Sequence, residues 1–483
     1  MYICAIDQGT TGSRTVLYNE SGIAVRQAYR EFTQIYPRPG WVEHDPGEIL
    51  ATVEETVREV MSGTDEPVAA VGITNQRETT VVWDRTTGKP VYNAIVWQCG
   101  RTAFMCADYR YREDDIRRKT GLPVNAYFSA TKFRWLLENS EFESIENLLF
   151  GTIDTWLIWN LTNGHSHVTD HTNASRTLLY NIHEKSWDSS LIDLFGIPRS
   201  MLPDVLPSVG EFGVVESIAE LSGVPIVAVA GDQQAALFGQ TCFRQGEMKN
   251  TYGTGSFMVM NTGDQAVKSD KGLVTTLAVA GDGTPCYALE GTIFIAGAAV
   301  QWLRDELGIL EKAADSEEIA RSLDDNGGVY MVPAFTGLAA PHWNMDARAA
   351  IVGLTRGANR RHIIRAALEA MAYQSNDVLS VMEEETGFRA DRLMADGGAV
   401  ANDFLMQFQA DIIGRPVARQ KSVESTAQGV AFMAGLHTGI WKSADDLKSL
   451  VSIDRTFRPS MTEAERSRHI DGWRRALRQV LTC

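Results

Sequence analysis

Asp7-Gln8-Gly9-Thr10-Thr11-Gly12-Ser13-Arg14 lies between two apolar runs, 2–6 and 15–18. Short apolar segments on either side of a glycine-bearing turn predict strand, tight turn, strand. Gly9 and Gly12 let the backbone turn and come close to a ligand. Thr10, Thr11 and Ser13 supply hydroxyls and Arg14 a fixed charge, a set that suits phosphate oxygens. Asp7, at the strand end, is acceptor-only when ionised and suits a hydrated magnesium ion beside those oxygens. An ordinary polar hairpin is the alternative reading of these eight residues.

Half a chain later the pattern returns as Tyr252-Gly253-Thr254-Gly255-Ser256, followed by the apolar run 257–260. Each hairpin has a later helix of small residues. One, at 235–240, follows the apolar strand 226–230 and Gly231-Asp232-Gln233-Gln234. The other occupies 425–435. The duplication predicts two domains, 1–248 and 249–483, facing across a cleft, with one hairpin gripping phosphate from each side. A length of 483 residues agrees, since one hydrophobic core seldom serves so long a chain.

Other stretches place further chemistry. A helix is expected over Pro46–Met61 and a buried strand over 68–74, ending in Asn75-Gln76-Arg77-Glu78. Arg77 and Glu78 form either a surface ion pair or a donor and an acceptor for vicinal hydroxyls of a polyol, because a hydroxyl needs both kinds of partner. Strand 94–97 ends in Trp97, Tyr127 opens a helix reaching Asn139, and strand 148–152 leads into a turn at Asp154-Thr155-Trp156. Asp232 reads as a base for an attacking hydroxyl or as a helix cap. Strand 393–395 leads through Asp396-Gly397-Gly398 to a helix over 402–413, where a flat adenosine can lie against glycine backbone at a helix N-terminus. No P-loop and no strand-linked G-x-G-x-x-G occurs, which argues against those nucleotide-binding sheets.

The balance of 45 basic to 61 acidic side chains, a formal charge of −16, disfavours nucleic acid and anionic membranes as principal partners. No uninterrupted apolar run reaches the roughly 20 residues of a membrane span, so a cytoplasmic protein is expected. Cys4, Cys99, Cys106, Cys242, Cys286 and Cys483 are scattered without a C-x-x-C pair, which fits reduced thiols. His165, His167 and His171 form the closest histidine grouping and read as structural or surface residues.

Taken together, Pro39-Gly40-Trp41-Val42-Glu43-His44-Asp45-Pro46, 72–80, 93–99, 127–139, 170–177, 231–240, 250–255, 333–343, 353–357 and 396–409 closely resemble the FGGY carbohydrate kinases, nearly end to end. The resemblance implies the actin- and hexokinase-like fold, an α/β class with two ribonuclease H-like domains of mixed β-sheet flanked by helices. Within the family it points to the members that phosphorylate glycerol to sn-glycerol 3-phosphate with ATP and Mg2+, as homodimers or homotetramers. It implies Asp232 as general base, with Arg77, Glu78, Tyr127, Asp232 and Gln233 on glycerol hydroxyls and Trp97 and Phe257 against the carbon skeleton. Thr10, Thr11, Gly12, Arg14 and Thr254 would meet the phosphates, and Gly297, Gln301, Gly398 and Asn402 would complete the nucleotide pocket. Asp7 would hold magnesium through water, with Asp232 as a second metal contact. Gly12 replaces the usual serine, which removes a hydroxyl but keeps a backbone N–H, while Ala339 and His342 depart from the common pattern without touching an expected substrate group. The competing readings are a sister polyol or ketose kinase and a non-enzymatic ATP-binding relative.

Overall fold

The computed structural model describes residues 1–64, 66–422 and 424–481, and in it the chain builds two mixed β-sheets on one plan. Cys483 lies outside the described residues. The other five cysteines are buried free thiols.

The first sheet contains β1 (Tyr2–Gln8), β2 (Gly12–Asn19), β3 (Ala24–Glu31), β4 (Val68–Asn75), β5 (Val209–Val214) and β6 (Pro225–Gly231), in the order β5-β6-β4-β1-β2-β3. β1 and β2 form the expected antiparallel hairpin, with Asp7 opposite Arg14 and Gln8 opposite Ser13. β1 runs parallel to β4, and β4 parallel to β6. In this register Gln8 lies beside Asn75, and Asn75 beside Gly231. Three parallel strands therefore end level, and Asp7, Arg77 and Asp232 emerge at one edge.

The second sheet repeats the scheme with β7 (Met248–Tyr252), β8 (Ser256–Gly263), β9 (Val274–Val279), β10 (Pro285–Ile293), β11 (Leu393–Asp396), β12 (Val417–Gln420) and β13 (Ile453–Phe457), in the order β9-β10-β8-β7-β11-β12-β13. β7 and β8 make the second glycine-threonine hairpin, and β7 runs parallel to β11. The helices that position the site are α1 (Pro46–Met61), α2 (Ser129–Asn139), α3 (Ile153–Leu161), α4 (Asp232–Gly239), α5 (Gly297–Asp305), α6 (Asp403–Ile413) and α7 (Ser425–Thr438).

A central parallel strand is buried on both faces, so its sequence is nearly continuously apolar. In β1, Cys4 and Ile6 pack with Ile49, Val53 and Val57 of α1 and Ile158 of α3. Ile3 and Ala5, on the opposite face, pack with Ala235 and Phe238 of α4 and Val430 and Ala431 of α7. α7 thus comes from the second half of the chain yet covers the first sheet. α4 comes from the first half yet contributes Leu237 to a cluster with Val259, Ala288 and Met394 of the second sheet. The two small-residue helices lie between the sheets and cross in backbone contact. A Cβ on Gly429 would sit 1.9 Å from the Ala235 carbonyl oxygen, and one on Gly239 2.1 Å from that of Ser425.

Several expectations need correcting. Asp154, Thr155 and Trp156 form no turn but lie inside α3, in which seven of nine residues are buried. A helix enclosed on all sides carries no amphipathic period to mark it. Strand 94–97 shortens to Ala94–Ile95, since the Trp97 amide turns to donate to Thr79 Oγ1 at 3.2 Å. The small-residue helix begins at Asp232, capped by Gly231, so Asp232 is its first residue and not its cap. His165 pairs with Glu216 at the surface, whereas His167 and His171 meet the Phe150 carbonyl and the Tyr180 hydroxyl. Among the described residues no helix is long and apolar enough to cross a membrane.

The helix crossing yields a test. Gly429→Ala should destabilise the protein by about 2 kcal/mol or more, because a methyl group there meets backbone that cannot step aside. Gly357→Ala, whose Cβ meets nothing closer than 3.7 Å, should stay within about 0.5 kcal/mol. Chemical denaturation of both variants checks the pair.

Candidate active site

At the level ends of β1, β4 and β6, Asp232 comes close enough for its charge to bear on Asp7. The Asp7 carboxyl is pushed up to about 7, chiefly by burial, with Asp232 adding and Arg14 opposing. It takes no hydrogen bond from the described residues. Asp232 keeps 29% of its side chain exposed, accepts from the Gln233 amide at 2.7 Å and lies 3.2 Å from Arg77 Nε. Its strand end is fixed from behind: the Gly231 amide donates to Thr172 Oγ1 at 2.8 Å, and that hydroxyl donates to Asp170 at 2.7 Å.

Arg77 and Glu78 are no surface pair, being 2% and 1% exposed. Arg77 grips Glu290 of β10 with both terminal nitrogens, at 2.6 and 2.9 Å, and also donates to Gln234 at 3.2 Å. Arg176 Nε donates to Glu78 Oε1 at 2.6 Å, and Arg176 also reaches Glu290 at 3.2 Å. With Asp232 counted, four of the five guanidinium N–H groups of Arg77 face protein acceptors and one is left for a ligand. Glu78 likewise retains Oε2, to which no described residue donates. Burial raises the Glu78 carboxyl although Arg176 and Arg77 oppose it, whereas the double guanidinium contact holds Glu290 down at about 2 despite burial. Glu78 is therefore the carboxylate still short of donors. It also sits at φ 61°, a conformation that costs a non-glycine residue energy and that functional sites tend to retain.

Aromatic rings wall this polar patch. Trp97 meets Tyr127 edge-on at 5.4 Å and Phe257 at 6.2 Å, bringing one ring from the second half against two from the first. Behind Tyr127 a cavity of about 20 Å3 runs past Arg176 and Glu290 to Phe294 and Trp343. That is room for about one water.

At the first hairpin Trp97 Nε1 donates to Thr10 Oγ1 at 3.0 Å, while Thr11 is exposed at the hairpin tip. Gly12 is buried against the Tyr29 hydroxyl, and Arg14 pairs with Glu424, at the entrance to α7. The second hairpin docks on the start of α5: the Gly297 amide donates to the Gly253 carbonyl at 3.0 Å, and the Ala296 amide to that of Thr254 at 2.9 Å. Gln301 is exposed on α5. Gly397, at φ 90°, lies where a Cβ would strike the Tyr252 carbonyl at 2.5 Å, so exposed Gly398 follows directly beside the hairpin. Asn402 faces inward to protein groups, capping α6 at Leu405 and donating to Ser316. Thr254, Gly297 and Gly398 are thus gathered at one hairpin, whereas the side chain of Asn402 is committed to structure.

Sequence reasoning missed Arg176, Glu290 and Lys249. Arg176 lay inside the quoted stretch 170–177 but received no role. Glu290 is a lone charge within the apolar strand β10, and a charge in such a strand signals a buried partner. Lys249 is likewise a lone charge beside the second hairpin.

The N-terminal domain profile of the FGGY family of carbohydrate kinases matches residues 2–239, and its C-terminal domain profile matches 248–437. A glycerol kinase of Symbiobacterium thermophilum is 56% identical, covering 99% of this chain and 98% of the relative. Glycerol kinase of Plasmodium falciparum, solved with ADP, superposes with a TM-score of 0.92 at 38% identity, covering 99% of this chain and 98% of that one. A xylulose kinase of Lactobacillus acidophilus, with a TM-score of 0.90 at 24% identity over 100% of this chain and 98% of that one, shares the fold. The strand-end carboxylates, the two glycine-threonine hairpins and the matched profiles lead to one conclusion: the chain belongs to the FGGY family of carbohydrate kinases.

Proposed function

We propose that the chain transfers the terminal phosphoryl group of ATP to glycerol, giving sn-glycerol 3-phosphate and ADP. The observation that carries this reading is the level ending of β1, β4 and β6, which sets Asp232 beside a spare donor on Arg77 under the Trp97, Tyr127 and Phe257 rings. End-to-end likeness to relatives named glycerol kinase supports it. A small triol fits the inventory: the remaining N–H of Arg77 donates, Oε2 of Glu78 accepts, and the Tyr127 hydroxyl and Gln233 add further contacts. Asp232, half-open to the cleft, takes the proton of the attacking hydroxyl. Thr10, Thr11, Gly12, Arg14 and Thr254 line the phosphate path, and Gly297, Gln301 and Gly398 the adenosine side, with Asn402 holding the start of α6 behind them. Asp7 and Asp232 are paired hard-oxygen donors, and no described residue donates to Asp7, so the two would hold Mg2+, Asp7 through water. Bound there, Mg2+ supplies charge neutralisation at the transferring phosphate. Division into domains at 1–248 and 249–483 is supported by the two profile matches. We read the enzyme as cytoplasmic, on its buried free thiols, and as a homodimer or homotetramer, on the family resemblance.

Asp232→Asn should lower kcat for glycerol by about 10² to 10⁴ while nucleotide binding and the circular dichroism spectrum persist. A kcat near wild type would remove Asp232 from the base role.

Glycerol should beat xylulose and ribulose in kcat/KM by at least about tenfold, because the Trp97, Tyr127 and Phe257 rings wall a short polar patch, and mismatched buried polar groups cost about 1–3 kcal/mol each. A pentulose preferred by that margin would reassign the substrate.

Asp7 carries a pH signature. Its folded value of about 7 lies above the ordinary 3.8, so the folded state binds more protons than the unfolded one between those limits. Stability from this group is therefore lost as pH rises from about 4 to 7. Asp7→Asn should melt higher than wild type at pH 8, with the gap narrowing toward pH 4, while activity falls. A melting difference independent of pH contradicts the assignment.

A further inference from the structure

We propose that Lys249 is a positioning residue that fixes the Gln233 side-chain amide with its oxygen turned inward and its nitrogen, a donor, turned to the polyol. This rests on reading the cleft as the glycerol site. Lys249 is fully buried on β7 and reaches from the second sheet to α4 at the edge of the first. Its ammonium finds three acceptors: Oε1 of Gln233, Oγ1 of Thr251 at 2.7 Å and the Phe257 carbonyl at 3.2 Å. An ammonium has three N–H donors and no acceptor, so only the oxygen of the Gln233 amide can face it. The flipped amide would press NH2 against NH3+. Nε2 then remains without a partner among the described residues, one position after Asp232. A hydroxyl bound there is held through its oxygen and keeps its own proton for a carboxylate. The same ammonium tethers the backbone of Phe257, the ring that closes the aromatic wall. Burial draws Lys249 down to about 8, opposed by Asp396, Asp232 and Glu290, and its three acceptors match the three donors of the charged form.

The test is a double-mutant cycle on the full chain. Lys249→Met should raise KM for glycerol by about tenfold to a hundredfold, with KM for ATP and the circular dichroism spectrum unchanged. In a Gln233→Met background it should add nothing to that KM. Gln233→Glu keeps the contact to Lys249 but presents an acceptor in place of a donor, and should raise KM for glycerol as much. This second variant decides the matter if Lys249→Met fails to fold. An additive cycle, an effect confined to kcat or to ATP, or an unchanged KM in Gln233→Glu overturns the positioning role while leaving glycerol phosphorylation standing. Absence of glycerol turnover in the wild type overturns both.

Discussion

The bidentate contact between Arg77 and Glu290 joins the two halves at a point with almost no water. Each ion alone would lose several kcal/mol on leaving solvent. The cluster is tolerated because Arg77 and Arg176 balance Glu78 and Glu290 in one connected set of ion pairs, although Nη1 of Arg176 finds no acceptor among the described residues. The edges of both sheets depend on it, since Arg77 leaves the first at β4 and Glu290 belongs to the second at β10. Taking one member away would strand its partner's charge, a loss of about 3–5 kcal/mol.

That neutrality has a chemical use. Charges paired with one another hold position, and only the groups they leave over can bind a further molecule. Among the described residues one N–H of Arg77, Nη1 of Arg176, one oxygen of Glu78 and the amide nitrogen of Gln233 remain, with the carboxyls of Asp7 and Asp232 beside them. The chain as a whole carries a charge of −16. Arg14 and Lys249 nevertheless stand near the cleft, each paired with protein acceptors, so a local cationic inventory coexists with an acidic surface.

Between the sheets, α4 and α7 are exchanged: each half of the sequence lends a helix to the neighbourhood of the other. Their crossing at Gly239 and Gly429 brings backbone to backbone, which only glycine permits. α4 also begins with Asp232, and α7 begins one residue after Glu424, the partner of Arg14. Packing between the halves and placement of Asp232 and Arg14 are therefore carried by the same two helices.

The sequence by itself determined the elements whose signal is local. The hairpins at Gly9–Gly12 and Gly253–Gly255 announce themselves through turn chemistry, and Pro46–Met61 through a capping Asp45 and a proline at its start. Their repetition sufficed to indicate two sheets across a cleft. Buried α3 was illegible, because a helix apolar on every side has no periodic stripe. Only the tertiary structure decided the ionic partners. Arg77 and Glu290 lie 213 residues apart, and nothing in the neighbourhood of either names the other. Register decided the rest: three strands end level because their ladders align Gln8, Asn75 and Gly231, and a hydrogen-bond ladder is a property of paired strands, not of any one of them.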